Sequence, residues 1–456
     1  MSHHDLIVIG AGNAYSIATR VADTGKNVVL VERDLLGGTC PNRGCVPSKL
    51  FLGFAEAAMR VRESSKFFMD SSLDSIDRPK ILRQVLGAIG RTHPFLVDLL
   101  PEGVELVRGD ARFTGERTVQ VGDRELTADQ VVIATGSRPR VPTIEGLEGT
   151  PFWTSDDVFI EETPPESIAI VGGGYIGCEL AQFFDGIGVS TVLLHRGDRL
   201  LERTDESTQP LFQDGFTRRV STRFDSEIVK VAHDGRAFDL DLRHRSGRIT
   251  RLRVGAVLFA AGRVPNTDGL DAEKAGVELT SRGFVKVDDH LATTAEGVTA
   301  MGDVAGNFMF THAARFEARY LSDQLTGKSP RGPIAYPPMP HAVFSVPELA
   351  GVGKTEQELR EAGTEYRVFS KPYSTAAKGR AIKEEHGLCK FLLSPSGEIL
   401  GCHLVGENAS VLVQEVVTVM TLRNDIRALD AAIHIHPSLS EVVSYTAAEA
   451  VQELDA

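Results

Sequence analysis

Apolar residues in this chain gather in short unbroken runs that stop at glycine. Leu6-Ile7-Val8-Ile9 meets Gly10, Val131-Val132-Ile133-Ala134 leads to Gly136, and Ile168-Ala169-Ile170-Val171 meets Gly172. Val257-Leu258-Phe259-Ala260-Ala261 meets Gly262, and Val298-Thr299-Ala300-Met301 meets Gly302. Runs of this length without polar alternation predict strands buried on both faces, as in parallel sheets. A helical pattern through about Thr24 follows the first run, and Asn27–Glu32 then reads as a second strand, completing a βαβ unit. Ile168–Val171, a helix containing Glu179 and Ser190–Leu194 repeat the arrangement.

Between these units the pattern weakens. Leu50–Arg62 is helical, 63–100 is polar and helical, and both Val104–Val107 and 112–127 read as short antiparallel strands. Pro139, Pro142 and Gly146 mark a boundary. From about 335 the composition changes. Alternating segments at 341–346, 366–370 and 388–406 mix with helices at 355–361, 408–422 and 425–431, predicting an α+β domain. The reading is α/β: two Rossmann-like dinucleotide-binding domains and a C-terminal α+β domain. Its boundaries fall at 1–145, 146–262, a return of the first domain over 263–334, and 335–456.

A length of 456 residues suits about three domains. The net charge of −13 and pI near 5.5 argue against a nucleic-acid partner. No apolar run approaches the roughly 18 residues a membrane span needs. Nothing at the start reads as a secretory leader, and five scattered cysteines make no disulfide framework, so the cytoplasm is expected.

The glycines carry the first chemistry. In Gly10-Ala11-Gly12, Gly10 allows the turn and Gly12 lets a diphosphate approach, while Glu32 can accept from a ribose hydroxyl. Tyr15 holds the place of the third glycine. The second loop has all three, Gly172, Gly174 and Gly177. Its second strand ends in His195-Arg196, not in a carboxylate, with Arg199 and Arg203 near. Cations there can pair with a 2′-phosphate, which leans the reading to NADPH, with NADH possible. Asp303 at the end of a buried run can hold a sugar or ribityl hydroxyl, or cap a helix.

Gly37-Gly38-Thr39-Cys40-Pro41-Asn42-Arg43-Gly44-Cys45-Val46-Pro47-Ser48-Lys49 is the stretch the other motifs converge on. If it is helical beyond Cys40, the two sulfurs lie one turn apart within reach of a disulfide. Helix amides and a nearby cation would favour a thiolate. Near the end, His436 stands beside Pro437 with Glu441 five residues on, a spacing that allows a His–carboxylate pair. No Cys-x2-Cys or His-Glu-x-x-His occurs, so no metal site is assigned. Two nucleotide modules and a cysteine pair imply hydride entering at one nucleotide and electrons leaving through a disulfide. Flavin accepts in one mode and delivers in the other. Cys45 is then the flavin-side thiol, Cys40 the thiol that attacks substrate, and His436 the acid that protonates the leaving thiol.

Over its whole length the chain resembles the class I FAD-dependent pyridine nucleotide–disulfide oxidoreductases, the family of glutathione reductase, dihydrolipoamide dehydrogenase, mercuric reductase and mycothione reductase. The resemblance rests on Gly37–Lys49, Gly174-Tyr175-Ile176-Gly177 with Glu179, Ala134-Thr135-Gly136, Ala261-Gly262-Arg263, Gly302-Asp303 and His436-Pro437 with Glu441. It implies FAD on the first module, with Gly38, Thr39, Lys49, Thr135, Gly136 and Asp303 among its contacts. It implies a nicotinamide nucleotide on the second, with Tyr175 over the pocket and Gly262 beside it. It also implies a Lys49–Glu179 ion pair by the flavin, and a homodimer in which His436 and Glu441 serve the other subunit's disulfide. The missing third glycine and Thr311–Arg319 are similar to mycothione reductases, so an NADPH-dependent reductase of a low-molecular-weight disulfide leads. Dihydrolipoamide dehydrogenase comes second, then a member reducing a quinone, metal ion or oxygen. A flavin-bearing structural subunit with a silent cysteine pair is the non-enzymatic alternative.

Overall fold

Leu6 and Val8 point to one face of a sheet and Ile7 and Ile9 to the other, and all four are buried in the computed structural model, which describes residues 2–159, 163–328 and 332–456. Leu6 and Val8 pack with Ile17, Ala18, Val21 and Leu321, while Ile7 and Ile9 pack with Phe113, Val131 and Val298. Burial on both faces is why the run shows no alternation, and each such side chain contributes about 1.5–3 kcal/mol.

The chain divides into two compact units. One comprises Met1–Ser48, Leu82–Arg140 and Gly262–Ala335; the other comprises Lys49–Ile81, Val141–Ala261 and Tyr336–Ala456. In the first, the sheet order is Val104–Arg108, Val28–Glu32, Ser2–Ile9, Arg124–Ile133, Thr118–Val121, Ala111–Gly115, with Val298–Ala300 also on Arg124–Ile133. The Ser2–Ile9 strand runs parallel to both of its neighbours. One expectation needs correction here. Val104–Arg108 is parallel to Val28–Glu32, because it closes a βαβ crossover and not a hairpin. The short antiparallel strands expected over 112–127 are Ala111–Gly115, Thr118–Val121 and the start of the long Arg124–Ile133. The N-terminal half of that last strand pairs antiparallel with Thr118–Val121, and its C-terminal half is parallel to Val298–Ala300.

The second unit has a parallel sheet in the order Thr222–Arg223, Ser190–Leu194, Ser167–Val171, Ala256–Phe259, Trp153–Thr154. An antiparallel meander of Glu227–His233, Phe238–Arg243 and Ile249–Val254 accompanies it. The 335–456 region forms a five-stranded antiparallel sheet over a core that includes Phe391, Leu404, Val413, Val416 and Val443. Val442, Val443, Ala447 and Ala450 come from a C-terminal helix, Glu441–Leu454, which the sequence pattern did not disclose.

Candidate active site

In both modules a glycine sits where the backbone of the sheet comes too close for a side chain. A Cβ on Gly10 would lie 2.3 Å from the Ala134 carbonyl oxygen, and one on Gly172 would lie 2.4 Å from that of Ala260. Gly10 and Gly172 also have φ of 102° and 122°, which L side chains rarely adopt. Each loop is thereby locked against the turn that ends the next buried run, Ala134-Thr135-Gly136 or Ala260-Ala261-Gly262. Gly136 and Gly262 also have positive φ, yet a Cβ on either would meet nothing within 4 Å, and the same is true of Gly174, which caps the Tyr175–Gly186 helix. Tight contact behind the loop with open space in front is the arrangement a nucleotide diphosphate needs. Thr135 is tied to Asn266, its hydroxyl donating to the Asn266 carbonyl at 2.8 Å and its carbonyl accepting from Nδ2 at 2.8 Å.

The modules differ at the third glycine. A Cβ on Gly177 would lie 1.8 Å from the Gly172 carbonyl oxygen, so only glycine fits. Tyr15 fits the first module because its helix, Tyr15–Ala22, begins five residues after Gly10, whereas Tyr175–Gly186 begins three after Gly172. The intervening turn is tighter: Tyr15 N donates to Gly12 O, Ser16 N to Asn13 O and Ile17 N to Ala14 O, each three residues back. The Tyr15 hydroxyl donates to the Leu96 carbonyl at 2.9 Å.

Glu32 lies at the end of its strand, where Oε2 accepts from Ala11 N at 2.7 Å and Oε1 from Asp34 N at 2.8 Å. Asp303 Oδ2 accepts from the Ser137 hydroxyl, which in turn takes a bond from Arg263 Nε. Its Oδ1 makes no bond among the described residues, leaving it able to accept from a sugar or ribityl hydroxyl. The first unit's donors, acceptors and open glycine faces fit a dinucleotide such as FAD.

The cysteine stretch is not one helix. Thr39–Arg43 and Cys45–Arg62 are separate helices broken at Gly44. A Cβ there would lie 3.0 Å from the Thr39 carbonyl oxygen and 3.2 Å from Cys40 Cα, so glycine lets the chain fold back on itself. Gly38, at φ 69°, begins the first helix, and a Cβ on it would lie 2.9 Å from Gly12 Cα, putting the cysteine loop directly on the first glycine loop. Buried Asn42 fastens it, donating to Leu36 O at 3.0 Å and Gly38 O at 2.8 Å.

Cys45 is exposed and Cys40 partly buried. A hydrogen bond to Cys45, burial and the charge of Cys45 hold the Cys40 thiol far above its ordinary range. Thr311, first residue of the Thr311–Leu325 helix, has its hydroxyl 3.7 Å from Cys45 Sγ. A helix N-terminus favours a thiolate over a thiol. Thr311 was visible in sequence only as part of a motif, since 266 residues separate it from Cys45.

The second unit has its own cluster of charged and aromatic side chains. Lys49 Nζ lies 2.6 Å from Glu179 Oε2, and Glu179 Oε1 accepts from Phe344 N at 3.1 Å. The Lys49 ammonium also sits 4.5 Å from the centre of the Phe344 ring, a contact the sequence did not suggest. Burial pushes the Tyr175 phenol up to about 12, and its ring stands 6.3 Å from that of His341. Arg196 and Arg203 are exposed and form no ion pair among the described residues. Among the described residues Arg199 has only Asp198, at 3.9 Å.

His436 and Glu441 meet, with Nδ1 2.7 Å from Oε1. Glu441 also accepts from Ser438 N at 3.0 Å and from the Tyr445 hydroxyl at 2.6 Å. Tyr445 escaped the sequence reading because its relation to Glu441, four residues along a helix, appears only once Glu441–Leu454 is known to be helical. The carboxylate is buried while His436 is 72% exposed, flanked by the exposed Ile433 and Ile435. Among the described residues no group of three or more His, Cys, Asp or Glu could hold a metal ion, and no helix is long and apolar enough to cross a membrane.

Residues 4–318 match the family model described as pyridine nucleotide-disulphide oxidoreductase, and residues 339–447 match that family's dimerisation domain. The chain is 33% identical over 470 residues to mycothione reductase of Mycobacterium tuberculosis, covering 97% of this chain and 98% of that protein. It is 31% identical over 441 residues to glutathione reductase of Burkholderia cepacia, covering 96% and 97%. It is 31% identical over 459 residues to dihydrolipoyl dehydrogenase of Chlorobaculum parvum, covering 98% and 97%. Among solved structures, the HOCl-induced flavoprotein disulfide reductase RclA from Escherichia coli superimposes with a TM-score of 0.86 at 26% identity, covering 97% of this chain and 99% of that one.

Proposed function

The chain belongs to the pyridine nucleotide-disulphide oxidoreductase family, and we propose that within it the protein reduces a low-molecular-weight disulfide, most like that of mycothione reductase, at the expense of NADPH. The observation that carries the reading is the Cys40–Cys45 thiol pair, seated on the glycine loop of the first module. A structural subunit would have no use for two thiols hydrogen-bonded to each other at a nucleotide loop. Arg196, exposed at the end of the second module's strand, supports the phosphate-bearing nucleotide.

The Gly10–Gly12 loop, Glu32 and Asp303 would hold FAD, which would supply the two-electron chemistry linking a nicotinamide hydride to the Cys40–Cys45 disulfide. The chain's residues do the rest. The Thr311 helix terminus favours the Cys45 thiolate, and Lys49, held by Glu179, keeps a fixed positive charge one helical turn beyond Cys45. Cys40 passes its proton to His436 and attacks the substrate disulfide as thiolate. One S–S bond breaks, a mixed disulfide forms, and the departing thiolate takes a proton from His436. Cys45 then attacks the Cys40 sulfur, releasing the second thiol and closing the pair. The exposure of His436 accords with a homodimer in which it serves the other copy's cysteines, and the cytoplasm is the proposed compartment.

The test is a panel of initial rates with NADPH and NADH against mycothione, glutathione disulfide, bis-γ-glutamylcystine, lipoamide, a quinone and Hg(II). Mycothione as the best acceptor, with loss of disulfide turnover in both Cys40→Ser and Cys45→Ser, is the expected result. Full disulfide turnover in either variant would overturn the reading. Lipoamide as the best acceptor would move the protein to the dihydrolipoamide dehydrogenases.

A further inference from the structure

We propose that Glu202, fixed by His195, is a negative determinant against the nucleotide's 2′-phosphate, so that the protein accepts NADH alongside NADPH. The inference rests on the nucleotide reading of the second module. At the end of Ser190–Leu194 the chain presents two residues of different kinds. Arg196 points to solvent, whereas the His195 side chain is only 12% exposed. Gly173 N, in the glycine loop, donates to His195 Nδ1 at 3.2 Å. An N–H donor makes Nδ1 the acceptor, so the ring proton sits on Nε2 and is donated to Glu202 Oε1, 3.2 Å away. The carboxylate is thereby held to the glycine loop through the imidazole.

Two further glycines border this arrangement. A Cβ on Gly173 would lie 2.9 Å from His195 Cγ, and one on Gly197 would lie 2.6 Å from Glu202 Oε1 and 2.9 Å from His195 Nε2. Neither has a positive φ, so conformational freedom does not explain them. They leave room for the imidazole and the carboxylate, and Glu202 Oε1 lies against Gly197, the chain neighbour of Arg196. At the end of the second strand of a dinucleotide module, a carboxylate accepts from a free ribose 2′-hydroxyl and repels a 2′-phosphate, while an arginine does the reverse. Here both occupy one rim. Arg196 supplies attraction, and Glu202, which could otherwise swing into water, is pinned where it opposes that attraction. Glu202 is 59% exposed, so its effect is partly screened and falls with salt.

Calorimetric binding of 2′,5′-ADP and 5′-ADP to the FAD-loaded protein tests this without turnover. In Glu202→Gln the affinity ratio of 2′,5′-ADP to 5′-ADP should rise about tenfold at low salt, the scale of one charge-assisted contact. His195→Leu, which frees the carboxylate, should raise the ratio in the same direction by about threefold or more. A ratio unmoved in Glu202→Gln, including equal changes for both probes, overturns the proposal and leaves the nucleotide reading standing. Failure of the unmutated protein to bind either probe sinks both.

Discussion

Glu441 Oε1 lies 2.7 Å from His436 Nδ1, and that carboxylate is held from two other sides by the Tyr445 hydroxyl and the Ser438 amide. With Nδ1–H directed at Glu441, Nε2 is the outward atom able to hold or deliver a proton. His436→Ala should leave reduction by NADPH intact and slow disulfide turnover by about 10²-fold or more. Glu441→Gln, which keeps a partner but loses the charge, should slow it by about tenfold. Stopped-flow traces separate the two half-reactions, and unchanged turnover in His436→Ala would remove its role as acid.

The same cluster has an acid limit. Hydrogen bonds from Tyr445, His436 and the Ser438 amide, in that order, lower the Glu441 carboxyl from 4.5 to about 2. A carboxyl depressed on folding stabilises the native state above its unfolded value and loses that contribution as pH falls through its folded value. Glu441 should therefore stay ionised down to pH near 2. Carbon-13 NMR of the labelled carboxylates should find one titrating well below the other glutamates, absent in Glu441→Gln and shifted upward in Tyr445→Phe. A midpoint near 4.5 would contradict the geometry.

Cys40 offers a second titration. Its thiol is held up first by the hydrogen bond to Cys45 and then by burial. Cys45→Ala removes the first cause, so the Cys40 thiolate fraction at pH 8 should rise and iodoacetamide should alkylate it at least about fivefold faster than in the reduced unmutated protein. Mass spectrometry of the labelled peptide reads the rate directly. Equal rates would mean that burial alone governs Cys40.

Much of this site could be read from one dimension because its parts are tied to local backbone. Gly10, Gly172 and Gly177 answer to close approaches that any βαβ dinucleotide turn requires, and the spacing of Cys40 and Cys45 survives although their helix breaks at Gly44. What stayed hidden joins distant segments. Thr311 reaches Cys45, Phe344 lies under Lys49, and Tyr445 completes Glu441 on a helix whose apolar positions gave no clear signal. The direction of Val104–Arg108 was missed for a related reason: a short apolar strand has the same pattern whether its neighbour is parallel or antiparallel.

Tyr15 shows how a departure from a motif can be absorbed. Its hydroxyl bonds to Leu96 O, and the late start of its helix leaves room that Gly177 does not have. Restoring the usual glycine should therefore weaken the protein. Tyr15→Phe should cost about 0.5–1.5 kcal/mol for the lost hydrogen bond, and Tyr15→Gly more, from lost packing and helix propensity. Thermal melts of the FAD-loaded variants rank the two, and a higher melting temperature for Tyr15→Gly would refute this account.

Lys390 is the least forgiving residue away from the site. Its side chain is 1% exposed, and Nζ lies 2.8 Å from both Asp205 Oδ1 and Ser207 Oγ, with Glu356 as a third partner. Burial alone would raise the Asp205 carboxyl, but His403, Lys390 and the Glu356 amide together bring it below its ordinary value. Its contribution is thus complete above the unfolded value of 3.8 and declines as pH falls further. Lys390→Met fills the space and leaves two carboxylates without their cation, which should cost about 3–5 kcal/mol, as for other broken buried pairs. Adding Asp205→Asn removes one of those charges, so the double variant should recover part of the loss, a coupling of about 1–3 kcal/mol. Denaturation of the four proteins of this cycle at pH 7 decides it: strictly additive losses would show that Lys390 is held by packing and not by its charge.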